Sequence, residues 1–131
     1  MERLPPQTHS VMGETQETGL KGEQAAAEWL TANGFSIRHR NWRSGRYELD
    51  IVAAKDDTLH FVEVKCRKRG GLTTPEEAIT PAKFRSLSKA AEAYIATFGI
   101  DSEIQFDLIS VEHYAGGYEI RYVPNAMIAR W

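Results

Sequence analysis

The sequence contains a single cysteine, Cys66, so no disulfide can form within the chain. This composition fits a reducing compartment. The chain also lacks an apolar run long enough to span a bilayer, and its N-terminus lacks a hydrophobic signal core. We therefore expect a soluble, cytoplasmic protein that does not enter a membrane.

An excess of charge of one sign is missing as well. The 16 Lys and Arg residues and 18 Asp and Glu residues give a formal net charge of -2, which argues against a polycationic nucleic-acid coat. The four histidines lack the spacing of zinc ligands. No P-loop, dinucleotide-binding fingerprint or Ser-His-Asp pattern is present. These absences exclude several common enzyme classes.

The length of 131 residues suits one domain. Residues 1–18 are polar and include Pro5 and Pro6, so we predict a flexible N-terminal tail followed by a single domain over residues 19–131. The next elements predicted are a helix over 20–33, ended by Gly34, and three strands over 35–41, 47–54 and 59–67.

The second half of the chain predicts a helix and two more strands. Thr80 is a good helix cap, Pro81 suits the first helical position, and Gly99 can close the helix. Strands are predicted over 104–111 and 118–123. The order α-β-β-β-α-β-β indicates an α/β fold with a central mixed sheet of about five strands flanked by helices.

Two carboxylates and a lysine fall on the second and third predicted strands. Glu63 and Lys65 lie two residues apart and therefore share a face of their strand. Asp50 can meet them from the neighbouring strand. Because unpaired buried charge is costly, charged groups within apolar strands require a reason. A bound divalent metal beside a lysine that handles water or phosphate supplies one.

Metal-dependent phosphodiester hydrolysis requires hard oxygen ligands, which Mg²⁺ prefers. Asp50 and Glu63 can supply two ligands, and the backbone carbonyl of Val64 can supply a third. Lys65 can then hold the attacking water or stabilise charge on the phosphate. Glu23, in the first predicted helix beside Gly22, can complete the metal shell, since glycine permits a close approach of another segment.

Each of these residues also has a structural interpretation. Glu63 and Lys65 can form a salt bridge on an exposed strand, and Glu23 can be an ordinary acid in the first turns of a helix. Glu48 shares a face with Asp50 and either supports the site or faces solvent. Asp107, in an apolar strand, favours a structural hydrogen-bonding role.

Half of the Lys and Arg residues lie in two short windows, 38–46 and 65–69. Charge runs are usually solvated surfaces, but these two flank the predicted metal site, where phosphate contacts are expected. Trp42, within the first window, suits the core or a base-stacking platform equally well. The residues predicted to bind nucleic acid are Arg40, Arg43, Arg46, Arg67, Lys68 and Arg69.

Asp50, a spacer and then Glu63-Val64-Lys65 resemble the signature of the PD-(D/E)xK nuclease superfamily, which has the restriction-endonuclease-like fold. The element order is similar to that of the archaeal Holliday junction resolvase branch. Within it the chain resembles most the YraN-like family of uncharacterised bacterial proteins, predicted endonucleases. Five blocks carry this resemblance: GLKGE at 19–23, RNWR at 40–43, ELDIVA at 48–53, FVEVKCR at 61–67 and FDLI at 106–109.

The resemblance implies a metal-dependent endonuclease that hydrolyses DNA phosphodiester bonds, on branched or recombination and repair intermediates. It implies Glu23, Asp50, Glu63 and Lys65 as catalytic residues, Mg²⁺ or Mn²⁺ as a weakly held cofactor, nucleic acid (DNA in the first place) as partner, and a homodimer. Tyr47 departs from the family pattern, which usually has Gly there.

Two alternatives stay open at the level of sequence. The chain can be a non-catalytic nucleic-acid-binding module that retains the nuclease fold, or an adaptor whose basic runs meet an acidic protein partner. Cleavage of DNA in the presence of Mg²⁺ separates the enzyme from the binding module, and DNA binding at low salt separates both from the adaptor.

Overall fold

The computed structural model of the protein describes residues 14–70 and 79–126, with side chains from Lys21 onward. The described residues form two helices and five strands, in the predicted order α-β-β-β-α-β-β. The elements are α1 (Glu14–Ala32), β1 (Ser36–Ser44), β2 (Tyr47–Lys55), β3 (Thr58–Lys68), α2 (Pro81–Phe98), β4 (Glu103–Tyr114) and β5 (Gly117–Val123).

The five strands form one mixed sheet in the order β1-β2-β3-β4-β5. Strands β1, β2 and β3 form an antiparallel meander. Strand β3 then pairs with β4 in parallel, and β4 pairs with β5 in an antiparallel hairpin. A parallel pair needs a crossover connection, which here includes helix α2. The predicted α/β fold with a central mixed sheet is therefore confirmed.

Helix α1 begins earlier than its sequence predicted. It starts at Glu14 rather than Leu20, so residues 14–18 of the predicted tail are helical. These residues, ETQET, are polar but contain neither Gly nor Pro, and Glu and Gln are good helix formers. Polarity alone was therefore a poor indicator of where the helix starts. Residues 1–13 of the predicted tail lie outside the described residues.

Helix α2 carries the predicted signals at both ends. The Thr80 hydroxyl accepts a hydrogen bond from the Lys83 backbone N–H at 3.1 Å, and Pro81 occupies the first turn. Gly99 adopts a left-handed conformation with φ of 62° and donates its N–H to the Ile95 carbonyl. The N-terminal cap fixes the first turn of α2, and with it the position of Lys83.

One helix covers each face of the sheet. Ala26, Ala27 and Leu30 of α1 pack on one face, against a set that includes Ile51, Val62, Val64, Ile109 and Val111. Leu87, Ala90, Ala91 and Tyr94 of α2 pack on the other, against a set that includes Leu49, Val52, Phe61 and Leu108. Strand β3 contributes to both cores because its side chains alternate between the two covered faces, with Phe61 on one and Val62 on the other. Within the described residues no helix is long and apolar enough to cross a membrane.

Trp42 belongs to the packing on the α2 face. Its ring lies edge-on to Tyr94, with 5.1 Å between ring centroids, and it also contacts Phe98. The ring of Tyr94 is in turn edge-on to Phe61 on β3. Of the two interpretations of Trp42, core residue or base-stacking platform, the structure favours the core.

Asp107 lies at the centre of a buried hydrogen-bond network. Its carboxylate, which is 0% exposed, accepts hydrogen bonds from the Tyr122 hydroxyl at 2.7 Å, the Gln105 amide at 2.9 Å and the Asn125 backbone N–H at 2.9 Å. His60 Nδ1 lies 2.7 Å from the same carboxylate. Burial and Asp107 raise the pKa of Tyr122. The network supports the structural role predicted for Asp107.

Candidate active site

Strands β2 and β3 separate where the predicted acidic residues lie. The last paired residues of the two strands are Ile51 and Val62. Beyond this pair, β2 stays paired with β1 back to Tyr47, and β3 stays paired with β4 as far as Lys68. Beyond that end, the Val64 backbone N–H donates a hydrogen bond to the Asp50 carboxylate at 2.9 Å. We call this opening, bordered by Asp50, Glu63 and Val64, the β2–β3 gap.

Asp50 and Glu63 lie next to each other in the gap. Glu63 is only 4% exposed, and Asp50 is half-buried. Burial of the carboxyl group and the negative charge of Glu63 raise the pKa of Asp50 to about 7, from an ordinary value of 3.8. The hydrogen bond from Val64 opposes this shift. Near neutral pH the two carboxylates therefore repel each other, and a bound cation would relieve that repulsion.

Two lysines approach the same oxygen of Glu63. Lys65 Nζ lies 4.0 Å from Glu63 Oε2, and Lys83 Nζ of helix α2 lies 3.2 Å from it. Lys65 is the predicted residue, on the same face of β3 as Glu63. Lys83 was missed, although the Thr80 cap and Pro81 placed it in the first turn of a helix. What the sequence did not reveal is that this turn brings Lys83 to Glu63, in the middle of β3.

Glu23 approaches the gap from the other side of the sheet. Gly22 makes this possible, because a Cβ atom there would lie 2.1 Å from Cys66 Sγ and 3.8 Å from Val111 Cβ. The close approach predicted for Gly22 is therefore to side chains of β3 and β4. Burial and the charge of Asp50 raise the pKa of Glu23, which also receives a hydrogen bond from Asn41. Burial also raises the pKa of the Cys66 thiol.

Comparison with known proteins assigns the chain to a family. The sequence model of the family described as "Uncharacterised protein family UPF0102" matches residues 22–111. The chain belongs to this family. That range includes every residue of the β2–β3 gap, both lysines and Glu23.

Relatives in the family align over most of their length. A UPF0102 protein of Bacteroides thetaiotaomicron is 44% identical over 115 residues, which are 88% of this chain and 95% of the relative. One from Syntrophomonas wolfei is 42% identical over 112 residues, 85% of this chain and 97% of the relative. One from Porphyromonas gingivalis is 42% identical over 106 residues, 81% and 78% of the two chains.

The donor chemistry of the gap in this family member fits a hard cation in part. Asp50 and Glu63 provide two carboxylates. A strand residue directs its N–H and C=O to the same side, so the Val64 carbonyl also faces the gap. Among the residues that the structure describes, however, no group of three or more His, Cys, Asp or Glu side chains is placed to hold a metal ion. Glu23 therefore does not form a preformed three-carboxylate metal site with Asp50 and Glu63.

Several of the predicted nucleic-acid-binding residues contact other groups of the protein. Arg43 lies 3.3 Å from Glu48, and Arg40 donates to Gln24 at 2.8 Å. The pairing with Arg43 gives Glu48 a partner.

At the other window, Arg69 pairs with Glu112 and Glu119 and lies over the Tyr114 ring at 4.3 Å. Arg67 is half-buried and Lys68 is exposed at the end of β3. Arg46 is exposed and lies 5.3 Å from the centroid of the Tyr47 ring. The three arginines with carboxylate or amide partners are thus less available for phosphate than Arg46 and Lys68.

Proposed function

We propose that this protein is a metal-dependent nuclease of the PD-(D/E)xK superfamily that hydrolyses phosphodiester bonds of DNA. The observation that carries the proposal is the Asp50–Glu63 pair at the separation of β2 and β3, with Lys65 on the same face as Glu63. Two mutually repelling carboxylates and this amine at one opening suit a reaction on a phosphate. The signature in the sequence and the element order support the superfamily.

Asp50, Glu63 and the Val64 carbonyl would hold Mg²⁺ or Mn²⁺, and Glu23 would add negative charge nearby. When bound, the ion supplies a Lewis acid for the phosphate oxygens and lowers the pKa of water. In the hydrolysis, a water oxygen bonds to phosphorus, the bond from phosphorus to a bridging oxygen breaks, and the leaving oxygen gains a proton. Lys65 would orient the water or stabilise the charge that develops on the phosphate.

Cleavage assays test this function directly. We expect the full-length protein to cut DNA flaps, four-way junctions or single strands in Mg²⁺ or Mn²⁺, and not in EDTA. The resolvase-like element order makes the branched substrates the first choice. Asp50→Asn and Lys65→Ala should each lower the rate at least about 100-fold. Glu103→Gln, which changes an exposed residue at the far end of β4, is the matched control. Activity that survives both site variants would remove the proposal.

A non-catalytic nucleic-acid-binding module is the second candidate. The position of Lys83 favours it, because this ammonium group already lies 3.2 Å from Glu63 and neutralises part of the charge that a metal would. The lack of a ready-made set of three ligands among the described residues favours it too. For this candidate we expect DNA binding that weakens with salt and no product with any of the substrates in Mg²⁺ or Mn²⁺.

A further inference from the structure

A groove runs between helix α2 and the turn that joins β1 to β2. It has a volume of about 410 Å³ and opens to solvent. We call it the α2 groove. Its lining consists of Arg46, Tyr47, Ala82, Arg85, Ser86 and Lys89.

The charge of the α2 groove is of one sign. Arg46, Arg85 and Lys89 are exposed cations, and no carboxylate is among the described residues that line the groove. Arg85 and Lys89 lie one helical turn apart, about 6 Å along the axis. Like charges at this spacing disfavour a helix, so the pair does not stabilise α2. An anionic ligand would relieve the repulsion.

The four helical residues of the lining form one continuous face. Positions 82, 85, 86 and 89 have the spacing i, i+3, i+4 and i+7, so the small side chains of Ala82 and Ser86 leave room beside the two long basic ones. The opposite wall is the ring of Tyr47, which packs partly against the core under α2. Cations spaced along a groove suit a strand with successive phosphates better than a compact anion.

The groove leads to the β2–β3 gap. Ala82 lines the groove, and its neighbour Lys83 contacts Glu63 within the gap. On the opposite wall, Tyr47 lies three residues before Asp50 on the same strand. A strand of nucleic acid that follows the groove toward the N-terminus of α2 therefore arrives at the two carboxylates.

We propose that the α2 groove binds the phosphate backbone of a DNA strand, with Arg46, Arg85 and Lys89 contacting successive phosphates, and directs that strand into the β2–β3 gap. This inference rests on the proposed function and adds the residues that position its substrate. Arg85 and Lys89 lie outside both basic windows of the sequence.

Binding of a fluorescein-labelled DNA duplex, measured by anisotropy in EDTA over a series of KCl concentrations, tests the groove. The variant is Arg85→Gln/Lys89→Gln. The control is Lys55→Gln/Arg121→Gln, which removes the same charge from strands β2 and β5, outside the α2 groove and both basic windows. Thermal unfolding checks that both variants fold.

Loss of two phosphate contacts should lower the slope of log K against log[KCl] by about 1.8, with weaker binding at low salt. The control should keep the wild-type slope. A groove variant that binds with the wild-type slope, or a control that loses as much as the groove variant, overturns the inference. So does a wild-type protein that does not bind DNA at low salt.

Cleavage assays in Mg²⁺ distinguish the two proposals. If wild type cuts DNA and the groove variant keeps the wild-type binding slope, the groove inference fails while the proposed function stands. If the groove variant loses slope and wild type cuts no substrate, the groove stands and the nuclease activity fails. Where both hold, the groove variant should raise KM for DNA more than it lowers kcat.

Discussion

The carboxylate of Asp50 accepts a hydrogen bond from the backbone N–H of Val64 at 2.9 Å. In a regular sheet, a backbone carbonyl of the neighbouring strand would accept this hydrogen bond. A side chain thus completes the backbone pairing at the point where β2 and β3 separate. The contact fixes Asp50 beside Glu63 in an environment that raises the pKa of Asp50 to about 7. Asp50 therefore has a structural role that does not require its charge.

Replacing Asp50 with Asn should stabilise the protein at alkaline pH. The pKa of this carboxyl is about 7 in the folded state and near 3.8 in the unfolded chain, so its contribution to stability is greatest below pH 3.8 and is lost as pH rises through 7. Asparagine keeps the acceptor for Val64 without the charge. We expect a gain of up to about 4 kcal/mol at pH 8, measured by urea unfolding at pH 5 and pH 8.

The same variant should show a smaller loss of stability between these two pH values than wild type. Asp101→Asn, which changes an exposed residue, serves as the control. If the Asp50→Asn protein is less stable than wild type at pH 8, the raised pKa of Asp50 is contradicted.

Addition and removal of Mg²⁺ provide a readout that is independent of cleavage. A ligand that binds only the folded state stabilises it, by about 2.7 kcal/mol at 100 times its dissociation constant. We expect millimolar Mg²⁺ to raise the Tm of wild type, and EDTA to reverse the change. The rise should be larger at pH 8 than at pH 6, because the ligand carboxylates must lose their protons. An equal rise in Asp50→Asn would place the ion elsewhere.

Lys83 should tune the acidity of Asp50. Its positive charge lowers the pKa of that carboxyl, against the larger effects of burial and Glu63. Replacing Lys83 with Gln should move the acidic limb of the Mg²⁺-dependent cleavage profile to higher pH. The same upward move should occur in the pH dependence of the Mg²⁺-induced rise in Tm. Lys55→Gln is the control, and a limb that stays in place or moves down would show that Lys83 does not act on Asp50.

Asp107 should matter for stability and not for the chemistry of the gap. Replacing it with Ala leaves His60, Gln105 and Tyr122 without their shared acceptor, which should cost about 3–5 kcal/mol in chemical unfolding. Ser110→Ala on the same strand is the control, since the buried Ser110 hydroxyl has no hydrogen-bond partner among the described residues. Cleavage per folded molecule should be unchanged in both. A stable Asp107→Ala protein would mean that the network contributes little.

A side chain at position 22 should destabilise the protein by clashing with Cys66, and removal of the Cys66 sulfur should restore stability. Gly22→Ala adds a methyl group 2.1 Å from Cys66 Sγ and should cost about 1–3 kcal/mol. Cys66→Ala removes the sulfur, so the double variant should recover much of the loss. Thermal unfolding of the four proteins in a double-mutant cycle measures the coupling. Strictly additive effects would show that α1 does not press on this thiol.

Local patterns predicted most of the fold. The caps of α2 at Thr80 and Gly99 and the strand periodicity depend on neighbouring residues, and these elements lie where the sequence indicated. Pairing of the meander follows from short turns, so the proximity of Asp50 and Glu63 could be anticipated as well. The start of α1 could not be anticipated from the sequence, because polar residues such as those at 14–18 suit a helix and a tail equally.

Contacts between distant segments were beyond the sequence patterns. Lys83 contacts Glu63 only because the packing of α2 on the sheet places its first turn beside the middle of β3, and that geometry depends on how the core under α2 packs. The partners of the arginines show the same limit. Arg43 and Arg69 belong to conspicuous basic runs, yet each lies beside a carboxylate that arrives from another strand. Charge density along a chain does not reveal whether its charges are already neutralised.

The parallel pairing of β3 with β4 also sets the order of events during synthesis of the chain. Thr58 lies opposite Glu103, so one side of the central strand has no partner until the ribosome has added 45 more residues. Until then β3 presents an unpaired edge, which is prone to association with other chains. A nascent chain that stops after α2 therefore cannot complete the strand that carries Glu63 and Lys65, and premature termination there should yield aggregates rather than a smaller working protein.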